Sequence, residues 1–246
     1  MTANSCLAEN LSHYLELTED DRERLARFEE TERHYDRPVD VHMAGEPREH
    51  LFAIKKGWLY SYADFADGRR QIVKVHTPGD LIGFPDLAYE KATTSLRTCG
   101  EAIVCPFPKR YLDDVLNESP RLSALLLTIA VRDQVILIDT LRAMGRMSAR
   151  ERVAYFLLDM LARLRVMGGE QLRSYHMPLS QTEIGDVIGL TNVYVSKTLG
   201  RLESAGRIRR SAGQVEIVEE DEMRELADFT DRYATLDTSW FPVVKD

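Results

Sequence analysis

LSQTEIGDVIGLTNVYVSKTLGRLESAGRIRRSAGQVEI, residues 179–217, is the stretch from which the rest of the chain can be read. Ser180 and Glu183 form a capping box, in which each side chain meets a backbone N–H that the first helical turn leaves unpaired. The short helix they open turns Ile184, Val187 and Ile188 to one face and stops at Gly189-Leu190. Thr191 caps the next helix, which runs to about Ser204. Helical periodicity buries its Val195, Leu199 and Leu202 and turns Asn192, Val193, Ser196, Lys197 and Arg201 outward. Gly185 lets the two helices cross closely and Gly189 permits the sharp turn between them, as a DNA-reading helix-turn-helix requires. Residues 208–217 follow as a β-hairpin with a glycine turn, and Arg207, Arg209 and Arg210 make its first arm basic. Helix, turn, helix and basic hairpin make a winged DNA-binding module. Asn and Ser bond base edges, Lys reaches guanine acceptors or phosphate, and Val193 meets a thymine methyl. The residues expected at DNA are Ser180, Gln181, Thr191, Asn192, Val193, Tyr194, Ser196, Lys197, Arg201 and Arg209.

Upstream, Ser148 and Glu151 form another capping box, and Val153, Phe156, Leu157, Met160, Leu161 and Leu164 follow at helical spacing until Met167-Gly168-Gly169. Before that, proline at Pro120 suits a first helical turn, and no further proline or glycine occurs until Gly145, which reads as a hinge. The intervening long helix is apolar on more than one face and therefore needs a second packing surface, for which a partner copy is the expected source. Leu122, Leu126, Ile129, Ile136, Leu137 and Leu141 are the residues expected at that dimer contact.

From His34 to Pro108 the texture is short runs rich in Val, Ile, Tyr and Phe, punctuated by Asp67-Gly68, Pro78-Gly79-Asp80 and Phe84-Pro85. An antiparallel β-domain is expected, with Leu51–Tyr62 and Gln71–His76 as two strands joined at Asp67-Gly68. Glu9–Glu30 reads as a helical entry segment. The fold class is then α+β: an N-terminal antiparallel, jelly-roll-like β-roll (1–118), a long dimerisation helix and hinge (119–145), a winged helix-turn-helix (146–228) and an acidic tail (229–246). The carboxylates of Glu219–Glu222 suit a helix N-terminus, and Tyr233, Trp240 and Phe241 give the tail something to dock with.

Composition bounds the alternatives. The chain has 246 residues, 44% hydrophobic and 29% charged, enough for two modest cores. Its net charge of −8 is unevenly spread: roughly −6 up to Gly145, roughly +4 from Arg146 to Val218 and roughly −6 beyond. The longest uncharged apolar run, Leu122–Val131, is about half of a bilayer span, and no signal pattern opens the chain, so a cytoplasmic protein without membrane contact is expected. Cys6, Cys99 and Cys105 form no CxxC pair and are expected to be reduced thiols. No metal-ligand spacing, paired carboxylates or nucleophile-base set suggests an enzyme.

Pro78-Gly79-Asp80-Leu81-Ile82-Gly83, Arg152-Val153-Ala154 and Leu179-Ser180-Gln181-Thr182-Glu183-Ile184-Gly185 running into Gly189-Leu190-Thr191 carry a resemblance to the Crp/Fnr family of bacterial regulators. The resemblance spans about Leu11–Val218 and implies a homodimeric transcription regulator of double-stranded DNA, with RNA polymerase as a partner. In cyclic-AMP-binding members a Glu directly after the Gly-Asp-x-Ile-Gly stretch binds the ribose, and a nearby Arg-Ser pair holds the phosphate. Phe84, Thr94 and Ser95 stand at those places, so both charge-assisted contacts are missing, and Leu137 and Ile138, where relatives meet the purine, offer no hydrogen bond. Cyclic-AMP dependence is not expected. Iron-sulfur members use an N-terminal cysteine group, of which only Cys6 is present. His42, His50 and His76 are the candidate haem ligands, but lone histidines in a β-domain read as surface or core residues. No cofactor or metal is implied, and no effector is identified. In the recognition helix, the family's frequent Glu-x-x-Ser-Arg is here Val193 to Lys197. Ser196 is kept, Lys197 lacks the guanidinium fork, and Val193 accepts nothing from cytosine, so a different sequence preference is expected. Gln181 matches a phosphate-contact position. The alternative is a β-roll sensor of a small molecule acting through a protein partner, which the basic hairpin disfavours.

Overall fold

Residues 5–243 are described by a computed structural model of the chain. They divide into one unit that runs to Val131 and takes up the chain again from Leu236, and a second unit of Arg132–Thr235. The elements are those of a mixed α and β protein with antiparallel sheets, a long helix and a C-terminal helix-turn-helix.

In the first unit the entry segment is two helices, α1 (Cys6–Ser12) and α2 (Glu19–Arg27), the latter opened by a capping box of Thr18 and Asp21. Eight strands follow: β1 (Arg33–Tyr35), β2 (Asp40–His42), β3 (His50–Lys56), β4 (Leu59–Asp64), β5 (Arg70–His76), β6 (Leu81–Ile82), β7 (Ser95–Thr98) and β8 (Ala102–Pro108). They form two antiparallel four-stranded sheets ordered β1-β8-β3-β6 and β2-β7-β4-β5. Phe52, Ile54, Leu59, Leu96 and Val104 bury together between strands of both sheets.

The stretch Leu51–Tyr62 is not the single strand that its composition suggests. It breaks at Gly57, whose φ of +81° is open to glycine, and the chain passes there from one sheet to the other. A Cβ at this position would stand 2.2 Å from the Glu101 carbonyl oxygen, so the crossing demands glycine twice over. The hairpin around Asp67-Gly68 joins β4 to β5, with Asp64 opposite Arg70.

After α3 (Tyr111–Glu118) comes the long helix α4 (Pro120–Arg146). Its Leu122, Leu125 and Leu126 are buried in the core of the first unit beside Leu11, Phe28 and Phe107, and Ile129 packs on the same cluster. The rings of Phe28 and Phe107 stack at 4.3 Å. Phe241 and Leu236 of the acidic tail join this core.

The second unit contains the end of α4, α5 (Ala149–Gly168), β9 (Ser174–His176), α6 (Gln181–Ile188), α7 (Asn192–Ser204), β10 (Ile208–Ser211), β11 (Gln214–Ile217) and α8 (Glu220–Leu226). The box of Ser148 and Glu151 caps α5, whose Val153, Ala154, Phe156, Leu157, Met160 and Leu161 are buried. Its sheet is ordered β10-β11-β9, one strand more than the hairpin read from sequence. The guanidinium of Arg165 grips both oxygens of Glu220 at 2.7 Å each, holding the first turn of α8. Beyond α8, Phe229 and Tyr233 pack with Ile136 of α4 and Ala162 and Val166 of α5. The Tyr233 hydroxyl accepts from Arg163 at 2.8 Å, and Arg232 donates to Asp139 at 2.8 Å.

Candidate nucleic-acid interface

The helix-turn-helix is wound by the residues that its sequence singles out. The Ser180 hydroxyl accepts from the Glu183 N–H at 3.2 Å, while the Glu183 carboxylate accepts from the Ser180 N–H at 2.8 Å. Helix α6 ends on Gly189 in the left-handed conformation, and the Leu190 N–H donates back to the Gly185 carbonyl at 3.0 Å. The loop folds so tightly here that a Cβ on Gly185 would lie 2.3 Å from the Leu190 carbonyl oxygen. Thr191 then caps α7, accepting from the Tyr194 N–H. Arg152 of α5 braces the motif from behind by donating to the carbonyls of Met147 and Ile188 at 3.0 and 3.4 Å.

On α7, Val195, Leu199 and Leu202 are buried, and so is Thr198, a polar residue on the same stripe that the periodicity predicts but residue type conceals. Thr191, Asn192, Val193, Tyr194, Ser196, Lys197 and Arg201 are exposed, as are Ser180 and Gln181 at the start of α6. Val193 and Tyr194 are large apolar side chains left in solvent at 70% and 59% exposure. Lys197 and Arg201 have no carboxylate within ion-pair distance among the described residues.

The hairpin differs. Its first arm is basic in sequence but balanced in structure. Arg209 is ion-paired with Glu216, which stands directly across the ladder from it. Arg210 pairs with Glu203 of α7 at 2.8 Å, and Arg207 with Glu222 of α8 at 3.0 Å. Sequence reading overlooks these carboxylates. Glu216 was nevertheless legible, because a turn centred on Ala212-Gly213 places residues 209 and 216 opposite one another.

The six residues expected at a dimer contact separate into two groups. Leu122 and Leu126 are spent in the core of the first unit, with Ile129 packed against it, and Ile136 packs on Ala162 and Tyr233. Leu137 and Leu141 are 52% and 72% exposed, and Leu127, Val131 and Ile138 are similarly bare.

In the β-roll, the places that would meet a cyclic phosphate are engaged internally. The Ser95 hydroxyl accepts from the Ala44 N–H at 2.9 Å, and the Thr94 carbonyl lies 3.1 Å from His42 Nε2. The guanidinium of Arg48 meets Asp86 at 3.1 Å, both side chains being about 5% exposed. The second oxygen of Asp86 accepts from the N–H and hydroxyl of Thr93 at 2.8 and 2.7 Å. Burial, and then the charge of Arg48 beside it, push the imidazole of His42 down to about 4, so it is neutral at physiological pH. His76 lies buried with its Nε2 2.8 Å from the Ser61 hydroxyl, and burial pushes the Cys105 thiol up to about 12. No three His, Cys, Asp or Glu residues cluster as metal ligands among the described residues, and no helix among them is long and apolar enough to cross a membrane.

Comparison with known proteins agrees with this geometry. Residues 32–119 match the cyclic nucleotide-binding domain family, and residues 151–226 match the Crp-like helix-turn-helix domain family. The chain is 27% identical over 192 residues to an anaerobic regulatory protein of Haemophilus influenzae, covering 78% of this chain and 74% of that one. It is 25% identical over 211 residues to a fumarate and nitrate reduction regulatory protein of Vibrio cholerae, covering 86% and 84%. The solved structure of FixK2 from Bradyrhizobium japonicum superposes with a TM-score of 0.72 at 27% identity, covering 80% of this chain and 96% of that one. With both domains matched in order and regulators of this kind on every side, the chain belongs to the Crp/Fnr family of DNA-binding transcription regulators.

Proposed function

We propose that the protein acts as a homodimer on a pseudo-palindromic DNA site and does so without cyclic AMP. The observation that carries the dimer is a seam on α4. Leu127, Val131, Gln134, Ile138 and Leu141 recur at spacings of four and three, all exposed, which is the pattern of a two-helix coiled coil with one polar position. Two helix-turn-helix motifs brought together in this way read successive major grooves about one helical turn apart, roughly 34 Å. Ser196, Lys197, Asn192 and Val193 face the bases in this reading, and Ser180, Gln181 and Thr191 face phosphates. Independence from cyclic AMP is supported by the Arg48–Asp86 pair, in which the buried guanidinium is already neutralised, and by Phe84 where relatives bring a carboxylate. The protein works in the cytoplasm as a regulator rather than an enzyme, with RNA polymerase as the partner that its family supplies.

Selection from a random duplex pool with purified protein and no ligand tests this reading. An enriched inverted repeat with half-sites one turn apart, bound by a sedimenting dimer and unchanged by cyclic AMP, is expected. Enrichment only when cyclic AMP is added, or of a single unrepeated half-site, overturns it. Lys197→Ala and Arg201→Ala should weaken binding and flatten its salt dependence.

A further inference from the structure

The outer face of the winged helix-turn-helix sorts its cations in two ways. Lys197 and Arg201 on α7 stand without acidic partners among the described residues, whereas each arginine of the wing has one. Arg209 is held by Glu216 across the ladder, Arg207 by Glu222 at 3.0 Å, and Arg210 by Glu203 at 2.8 Å. Glu203 holds Arg210 twice, since its other oxygen accepts the Arg210 backbone N–H at 3.1 Å. The side chains of Arg209 and Glu216 are 66% and 38% exposed, so their pair is weak enough to exchange a carboxylate for a phosphate. That exchange leaves Glu216 facing the same phosphate. A wing of this composition approaches DNA with little net attraction.

We infer that Glu216 and Glu203 are specificity-determining residues: they neutralise the wing so that sequence-independent grip on the phosphate backbone is low and discrimination rests on α7. The inference rests on the DNA-binding reading of this module. Phosphate contacts add affinity to every sequence equally, whereas base contacts add it only to the right one. Restraining the former therefore widens the gap between specific and non-specific sites. Arg209, expected from sequence to be a DNA contact, becomes on this view a residue whose charge is already spent.

The test measures binding of the full-length protein to a scrambled duplex and to its selected site across a salt series. Glu216→Gln should tighten scrambled-DNA binding by about threefold to tenfold near 0.1 M salt and steepen the slope of log K against log salt by about one unit. Glu203→Gln should act in the same direction, and the double variant more strongly, while the selected site gains less and discrimination falls. Arg209→Ala should change scrambled-DNA binding less than about twofold in the unaltered protein but abolish the gain in the Glu216→Gln background, a coupling that a double-mutant cycle reads directly. Unchanged slopes in both Gln variants overturn the inference, as does a loss for Arg209→Ala alone equal to that for Lys197→Ala. If the unaltered protein binds no duplex even at low salt, the DNA reading fails and the inference goes with it. Binding by the unaltered protein, with Gln variants that match it, defeats the neutral wing alone.

Discussion

A single methyl group at residue 185 measures how tightly the helix-turn-helix is wound. The carbonyl oxygen of Leu190 stands 2.3 Å from where that carbon would go, and it belongs to backbone that Arg152 and the Gly189 turn hold in place. Gly185→Ala should therefore cost about 2 kcal/mol or more in thermal or denaturant unfolding and lower DNA affinity with it. An alanine protein as stable as the original would mean that the turn is slack. At this scale the buried and exposed faces of α7 were legible, because a 3.6-residue period separates Val195, Leu199 and Leu202 from Asn192, Ser196 and Lys197 without further information. What residue types alone conceal is pairing. Arg209 and Arg210 look like free cations in a string of letters, and only the register of β10 on β11 and the approach of α7 supply their carboxylates.

Helix α4 shows how an element's span can be legible while the duties of its faces are not. Its span follows from Pro120 and the absence of breakers. Its apolar residues, however, divide between two cores and solvent, and sequence cannot tell Leu122, buried in its own core, from Leu141, which is bare. The consequence is a pair of opposite outcomes. Ile138→Asp should dissociate the proposed dimer in sedimentation while leaving the monomer's melting temperature nearly unchanged, since Ile138 is 64% exposed. Leu122→Asp should unfold the first unit instead, because it buries an unpaired charge. Gln134→Leu should tighten the proposed dimer, the polar position in such a seam being one that costs stability and fixes register. A second element, α8, gives a pH dependence. Hydrogen bonds from Arg165, then from Arg224, hold the Glu220 carboxyl at about 2, below its ordinary 4.5. A depressed carboxylate contributes stability that is fully present above about pH 4.5 and is lost as pH falls through about 2. Glu220→Gln should thus be less stable than the original protein by about 2 kcal/mol at neutral pH, with the gap closing as the solution is acidified through that window. A gap that stays constant down to pH 2 would show that the charge of the Glu220 carboxylate is not its source.

Across the whole molecule, the acidic tail contributes to each unit separately. Tyr233 is 3% exposed among residues of the second unit, and Phe241 is 8% exposed in the core of the first. A chain ended after Thr235 should lose stability in the first unit only, whereas Tyr233→Ala should cost the second about 3–5 kcal/mol, both read by thermal unfolding with probes in each unit. Equal effects of both changes on both units would refute this division. The tail's aromatic residues signalled docking in sequence, but nothing there says which surface each ring finds, since complementarity is a property of folded faces. Arg48 meets Asp86 because the chain itself delivers that carboxylate, and a tethered partner acts at an effective concentration that a dissolved metabolite must exceed to compete. A free anion reaches this guanidinium only by unseating a carboxylate that the fold never lets diffuse away.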